Sequence, residues 1–391
     1  MLTLAELDAG GRRVLVRSDL NVPLSGGEVA DDFRLRATLP TIDLLRRSGA
    51  AVVLCSHLGR PGGRTVEALR MAPVAAALSE LGGFPVVAAE DPAGPDARRL
   101  ARRAGPGEVV LVENTRFHPG EITNDPEYAA ALADLADLFV LDAFGSAHRA
   151  HASTTGVATH LKSAAGPLLV RELEAFGMLM QDPPRPFTVL LGGAKISDKL
   201  PLIRALLPKV DALLVGGGMC YSLLAVEGYE VGDSLLESDY LDPLRDLLRG
   251  NRGDRLVLPV DVVAADRFRP DATATTVEIA AMEKGLIGLD IGPRTAQLFA
   301  EVIAGSGSVF WNGPMGVFEW EPFRPGTAAV ATAMAGSDAF TVVGGGDSVA
   351  ALRLLGREAA VSHLSTGGGA GLELLQGRAL PAVEALEAWS S

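Results

Sequence analysis

Short runs of β-branched and aliphatic residues recur along this chain, each followed by a longer stretch in which apolar positions return every three or four residues. Such alternation predicts strand–helix–strand units and a parallel sheet, hence an α/β fold. The front half carries RRVLVRSDL, AAVVLCSHL, FPVVAAE, EVVLVEN and DLFVLDAF, and the back half FTVLLGG, ALLVGGG, RLVLPVDVV, SVFWNGP and FTVVGGG. Between the halves, PLLVRELEAFGMLMQDPPRPF reads as one helix stopped by a proline cluster, a natural linker and hinge. The pattern predicts two doubly wound domains, 1–170 and a second from 186 onward, with a hinge helix over 171–185.

In a doubly wound sheet, ligands bind beyond the carboxyl ends of the strands. Polar residues gather at that place in the sequence: Asp19 and Asn21, His57, Glu113, Asn114 and Arg116, and Asp142 in the front half; Lys195, Gly216 to Gly218, Asp261, Asn312 and Asp347 in the back half. Each domain is therefore expected to present one ligand-binding edge. Facing edges would hold two ligands.

Length supports two cores: 391 residues exceed the usual size of a single domain. No apolar run approaches the roughly 20 residues that span a bilayer. The start, MLTLAELDAGGRR, is acidic and lacks the layout of a secretory signal, so a cytoplasmic location is expected. Cys55 and Cys220 stand far apart in apolar segments, with no CxxC pairing, and read as buried free thiols. The net charge of −13 argues against nucleic acid as a partner. Residues 1–180 hold 18 basic against 22 acidic side chains and the remainder 17 against 26, so the front half is the less acidic. Only five of the 35 basic residues are lysines, and two of them, Lys195 and Lys199, sit in one glycine-rich segment, GGAKISDK.

Four glycine-rich turns lie in the back half: LLGGAKISDKL, LLVGGGMCYSLL, VVGGGDSVAALRLL and LSTGGGAGLELL. Glycine lets backbone amides approach an anion, and a following helix N-terminus adds partial positive charge. None fits GxxxxGK[ST] or GxGxxG with its acidic partner. Asp347, after Gly345 and Gly346, suits both a magnesium ion held by one carboxylate, waters and phosphate oxygens and a helix N-cap. In the front half arginines stand out instead: Arg34, Arg60, Arg116 and Arg149, whose guanidinium forks match phosphate and carboxylate oxygens. His57 and His148 suit hydrogen-bond donation to an anion. HRAH at 148–151 lacks a third ligand segment for a metal site.

Read in order, RSDLNVPL (17–24), DDFRLRATLPTI (31–42), SHLGRPGG (56–63), ENTRF (113–117), DAFGSAHRAHAS (142–153), LGGAKISDKL (191–200), VGGGM (215–219), GLDIGP (288–293), FWNGPMGVFE (310–319), GGGDS (344–348) and STGGGA (365–370) resemble phosphoglycerate kinases, almost from end to end. The resemblance implies two Rossmann-like domains joined by a hinge helix, a monomer, and phosphoryl transfer between 1,3-bisphosphoglycerate and Mg-ADP, giving 3-phosphoglycerate and ATP. It implies that Asp19, Leu20, Asn21, Arg34, His57, Leu58, Gly59, Arg60, Arg116 and Arg149 hold the triose. It implies that Lys199, Gly216, Gly217, Gly288, Asn312, Glu319, Gly345, Gly346, Asp347 and Ser348 hold the nucleotide, with Asp347 toward Mg2+. Lys195 and Arg34 match positions that meet the migrating phosphoryl group, and Gly367, Gly368 and Gly369 supply amides to it. The resemblance also returns residues 373–391 to the front domain. Departures are few: Ser348 and Ser146 stand where threonine is usual, and Gly371 replaces a common serine, which is expected to loosen a helix start.

Such a reaction requires no general acid or base, because a carboxylate leaves and the ADP nucleophile is already an anion. Positioning and charge stabilisation remain as the catalytic task, completed by closure of the lobes. A nicotinamide dehydrogenase shares the architecture but lacks support in the missing GxGxxG. A two-lobed solute-binding protein predicts a secretion signal and one ligand.

Overall fold

A strand buried on both faces must be apolar at every position, and the central runs meet that requirement: Val14, Leu15, Val16, Val52, Val53 and Leu54 have no exposed surface. The computed structural model describes residues 1–249 and 253–389. They form two compact units, Met1–Glu174 joined by the segment from Ala379 onward, and Ala175–Arg378. Among the described residues no helix is long and apolar enough to cross a membrane.

The first unit contains β1 (Arg13–Ser18), a small hairpin of β2 (Leu24–Ser25) and β3 (Glu28–Val29), α1 (Phe33–Arg47), β4 (Ala51–Cys55), α2 (Ala72–Gly82), β5 (Val86–Ala88), α3 (Pro95–Arg103), β6 (Val109–Leu111), α4 (Pro126–Ala133), β7 (Leu138–Asp142) and β8 (Ser163–Ala165). Its main sheet has the order β5-β6-β4-β1-β7-β8, with every pair parallel. Helix α5 (Pro167–Gln181) follows and contains the division between the units.

The second unit adds β9 (Phe187–Leu191), α6 (Leu200–Leu206), β10 (Ala212–Val215), α7 (Cys220–Val226), α8 (Leu241–Leu248), β11 (Leu256–Val257), β12 (Asp261–Ala265), β13 (Thr275–Glu278), β14 (Ile287–Ile291), α9 (Pro293–Ala304), β15 (Ser308–Asn312), α10 (Pro325–Ala335), β16 (Phe340–Gly344), α11 (Gly346–Leu354), β17 (His363–Leu364) and α12 (Gly368–Leu375). Its parallel sheet runs β11-β10-β9-β15-β16-β17, the Rossmann strand order, with the reversal of winding between β9 and β15. Helix α13 (Pro381–Glu387) belongs to the first unit, where Ala382 N donates to Ala147 O (3.2 Å) and Trp389 Nε1 to Ala158 O (2.6 Å). The units thus divide after Glu174 and Arg378, against the sequence-based positions of 170, 185 and 372.

The segment RLVLPVDVV is not one strand. Pro259 separates β11, at the edge of the parallel sheet, from β12, the centre of an antiparallel sheet ordered β13-β12-β14. Asp261 therefore begins a strand rather than following one. Its carboxylate accepts from Arg294 N (3.1 Å), Thr295 N (2.8 Å) and Thr295 Oγ1 (2.7 Å), tying down the start of α9.

Two more acids expected at the ligand edge hold helix starts in the same way. Asp142 accepts from Leu168 N (2.8 Å) and Leu169 N (3.1 Å), and from the Thr41 hydroxyl, at the start of α5. Glu113 accepts from Met71 N (2.8 Å) before α2 and from Arg70 Nη1 (3.1 Å). Asn114 is likewise occupied, binding Leu58 N, Leu58 O and Leu69 O within 3.1 Å. These groups satisfy otherwise orphaned backbone donors and acceptors of the fold.

Candidate active site

In the first unit the loops after β1, β4, β6 and β7 converge at the carboxyl edge of the sheet, where β1 and β7 flank the reversal of winding. Arg34, from α1, donates through Nη1 to Asn21 O (2.7 Å) and to Asp19 Oδ1 (3.3 Å). Asn21 Oδ1 accepts from Gly59 N (2.9 Å), and Gly59 O accepts from Arg116 Nη1 (2.7 Å). One chain of bonds therefore fixes the Asp19, Arg34, Gly59 and Arg116 segments against each other. Leu20 and Leu58 are buried, and their backbone is engaged within the fold, with Leu20 N donating to Ser56 Oγ and Leu58 N to Asn114 Oδ1. Arg149 Nε meets His148 Nε2 at 3.1 Å, and Arg60 is exposed.

The sequence reading missed Arg17. It lies inside β1, fully buried, and its Nη2 contacts His57 Nδ1 (2.8 Å) and Ser146 Oγ (3.2 Å), while Nε and Nη1 find no hydrogen-bond acceptor among the described residues. The available signal was a charged residue within an otherwise apolar run, an expensive placement unless something polar answers it. Because guanidinium only donates, the Arg17 contact requires His57 Nδ1 to be a bare acceptor and the ring to be neutral. Burial pushes the His57 pKa well below its ordinary value, with the Arg17, Arg116, Arg149 and Arg34 charges acting in the same direction. Arg116 is pushed down to about 10 by burial and by Arg149 and Arg17. Arg149 is lowered too, by burial and then by Arg60. Cationic groups that depress one another mark a basin where an anion relieves repulsion. Buried Glu121 partly opposes them at Arg116 and accepts from Ser153 N (3.1 Å) and Ser153 Oγ (2.6 Å).

In the second unit the glycine-rich loops follow β9, β10, β16 and β17, and a further loop follows β15. Gly192 N donates to Asn312 O (2.9 Å), Gly193 N to Pro314 O (3.0 Å), Gly216 N to Leu191 O (3.0 Å) and Gly217 N to Met315 O (2.9 Å). At Gly217, φ is +67°, and a Cβ would lie 2.6 Å from Gly193 O; this close loop stacking admits no side chain. Lys199 Nζ donates to Asn312 Oδ1, and burial lowers its pKa against the pull of Asp198 and Asp347. Asn312 Nδ2 also donates to Gly344 O (2.6 Å). Gly345 caps α11, whose first turn holds Gly346 and an exposed Asp347, while Ser348 Oγ is engaged by Gly313 N (2.6 Å). Gly288 lies in β14, donating to Ser234 Oγ (3.0 Å), and Glu319 is exposed after β15. Gly367 caps α12, which opens with Gly368 and Gly369. Lys195 is exposed in the loop after β9.

Gly371 lies within α12. A Cβ there would lie 2.3 Å from the Phe176 ring, so the missing side chain lets α12 and α5 pack closely. Both cysteines are buried and free, and burial pushes Cys55 up to about 12 and Cys220 higher still. Among the described residues no three His, Cys, Asp or Glu side chains are grouped to hold a metal. A divalent cation at this edge would find the exposed Asp347 carboxylate at the start of α11 and would draw other oxygens from ligand and water.

A guanidinium basin on one sheet edge and a glycine-lined anion edge on a Rossmann sheet are the parts of a phosphotransferase. The phosphoglycerate kinase family model matches residues 4–378. Phosphoglycerate kinase of Parafrankia sp. is 53% identical over 99% of this chain and 100% of its own, and that of Salinispora arenicola 54% identical over 98% of each. Solved phosphoglycerate kinases align throughout: that of Coxiella burnetii with a TM-score of 0.88 at 40% identity, covering 100% of both chains, and that of Pyrococcus horikoshii with 0.90 at 31%, covering 100% and 99%. The chain belongs to the phosphoglycerate kinase family. Its reaction is the reversible glycolytic transfer of a phosphoryl group between 1,3-bisphosphoglycerate and ADP, yielding 3-phosphoglycerate and ATP, with a carboxyl group as acceptor in reverse.

Proposed function

We propose that the two edges divide this reaction between them, the arginine basin holding the triose acid and the glycine loops holding the nucleotide. The observation that carries the division is the gathering of Arg17, Arg34, Arg116 and Arg149 in the first unit, where burial and then neighbouring cations depress His57, Arg116 and Arg149. Asp19, Asn21, His57, Gly59, Arg60, Arg116 and Arg149, with the Leu20 and Leu58 segments, take the triose. Lys199, Gly216, Gly217, Gly288, Asn312, Glu319 and the run Gly345 to Ser348 take the nucleotide.

Arg34 and Lys195 neutralise charge on the migrating phosphoryl group, aided by the amides of Gly367, Gly368 and Gly369 at the start of α12. An acyl phosphate expels a carboxylate, so no residue needs to donate a proton; fixed donors and exclusion of water supply the catalysis. Asp347 would hold Mg2+, which would supply neutralisation of nucleotide phosphate charge. Because donor and acceptor must meet, α5 serves as the hinge of a closing motion. The enzyme acts as a cytoplasmic monomer.

The test is a coupled assay with 3-phosphoglycerate, ATP and magnesium, joined to calorimetry on Arg116→Ala. Turnover, with 3-phosphoglycerate binding weakened at least tenfold and ADP binding unchanged, is expected from loss of a charge-assisted contact. Equal loss of both affinities would defeat the division of labour.

A further inference from the structure

Lys195 lies midway between two fixed points of its loop. On one side Gly193 donates to Pro314 O (3.0 Å) and accepts from Met219 N (3.1 Å). On the other, the Glu237 carboxylate takes both donors of Ser197: the backbone N–H at Oε2 (3.0 Å) and the hydroxyl at Oε1 (2.7 Å). Glu237 is itself anchored, since its N–H donates to Ser222 Oγ (3.2 Å) on α7. The path Ser222–Glu237–Ser197 thus ties the Lys195 loop to a helix. Lys195 is exposed, and no turn of regular structure constrains its backbone.

We infer that Glu237 is a positioning residue for phosphoryl transfer, holding the main chain beneath Lys195 so that the ammonium is presented to the reacting phosphoryl group. The inference rests on the proposed role of Lys195. A carboxylate suits the task because both oxygens accept; an amide offers one acceptor and must turn its NH2 toward a donor. Burial opposes ionisation of Glu237, yet the Ser197 bonds and the Lys195 charge hold it below its ordinary pKa, so the anion persists at neutral pH. None of the residues proposed to grip the nucleotide, Lys199, Gly216, Gly217 and Asn312 among them, is bonded by the Glu237 side chain.

The experiment is a double-mutant cycle read in steady-state kinetics. Glu237→Ala is expected to lower kcat about ten- to a hundredfold, the scale of an ångström-level misplacement, with the KM for ADP within about twofold. In a Lys195→Ala background the same change is expected to alter kcat by less than about twofold, because the loop then has nothing to present. A merely structural role would instead multiply through both backgrounds, and that result overturns the inference while leaving Lys195 in place. A Lys195→Ala enzyme with undiminished kcat overturns the Lys195 reading and this inference with it. Should Glu237→Ala fail to fold, Ser197→Ala removes one of the two bonds and is expected to give a smaller kcat loss with the same non-additivity; additivity there overturns the inference equally.

Discussion

Arg34 and Arg17 enter the same basin under different constraints. Arg34 is only half-buried, and it donates to Asn21 O and to the Asp19 carboxylate at the edge of the basin. Loss of a preorganised donor to a developing charge costs about 3–4 kcal/mol of barrier. Arg34→Ala is therefore expected to lower kcat by hundreds-fold or more while ADP affinity barely moves; steady-state kinetics within tenfold of the parent enzyme would refute the assignment. Arg17 instead dictates the state of His57. Since burial, reinforced by the surrounding arginine charges, depresses the His57 pKa well below its ordinary value, the ring is neutral at pH 7 and above and gains a proton only well below its usual range. Its Hε1 resonance is expected to stay flat over that range, and His57→Gln to preserve the shape of the kcat/KM profile. A His57 titration centred near pH 6.5 would contradict the Arg17 contact.

At the scale of elements, carboxylates decide where helices begin. Asp142 at the end of β7 serves the first amides of α5 and the Thr41 hydroxyl of α1, all within buried surroundings. Removing it strands buried donors at about 1–3 kcal/mol apiece. Asp142→Ala is expected to lower the unfolding temperature by several degrees, with KM for 3-phosphoglycerate little changed in protein that remains folded. An unaltered melting curve would show that α5 does not depend on this clamp. Asp142 and Asp19 follow apolar runs in the same way along the chain. They differ because the start of α5 meets one, whereas Arg34 meets the other.

For the whole molecule, the reaction sets the requirement: atoms that exchange a phosphoryl group approach within about 3–3.5 Å before they react. Binding both ligands is accordingly expected to compact the protein, and small-angle scattering on the free and doubly liganded enzyme measures it. An identical radius of gyration in both states would count against closure about α5. Chain connectivity bears on the same motion, because the polypeptide passes to the second unit within α5 and returns after Arg378.

Much of this architecture was legible in local pattern. Fully buried parallel strands demand uninterrupted apolar runs, and glycine turns into helices demand their own residues, so both parallel sheets, the glycine-rich loops and the arginine-rich loops could be read from spacing alone. Pro259 was equally visible, yet only pairing with β13 and β14 turned β12 out of the parallel sheet. The uses of Asp142, Glu113 and Asp261 were likewise undecided along the chain. A carboxylate binds whichever donor arrives beside it, and here the donors are helix amides from residues 26, 42 and 33 positions away in sequence. Arg17, Glu121 and Glu237 were passed over for the converse reason: their partners His57, Ser153 and Ser197 meet them only after the chain has folded. Periodicity encodes which face is buried, so sequence determined the elements and the polar and glycine-rich loops at their ends. Contact between distant residues is a property of the packed chain, so tertiary structure decided which charges hold the fold and which are left for a ligand.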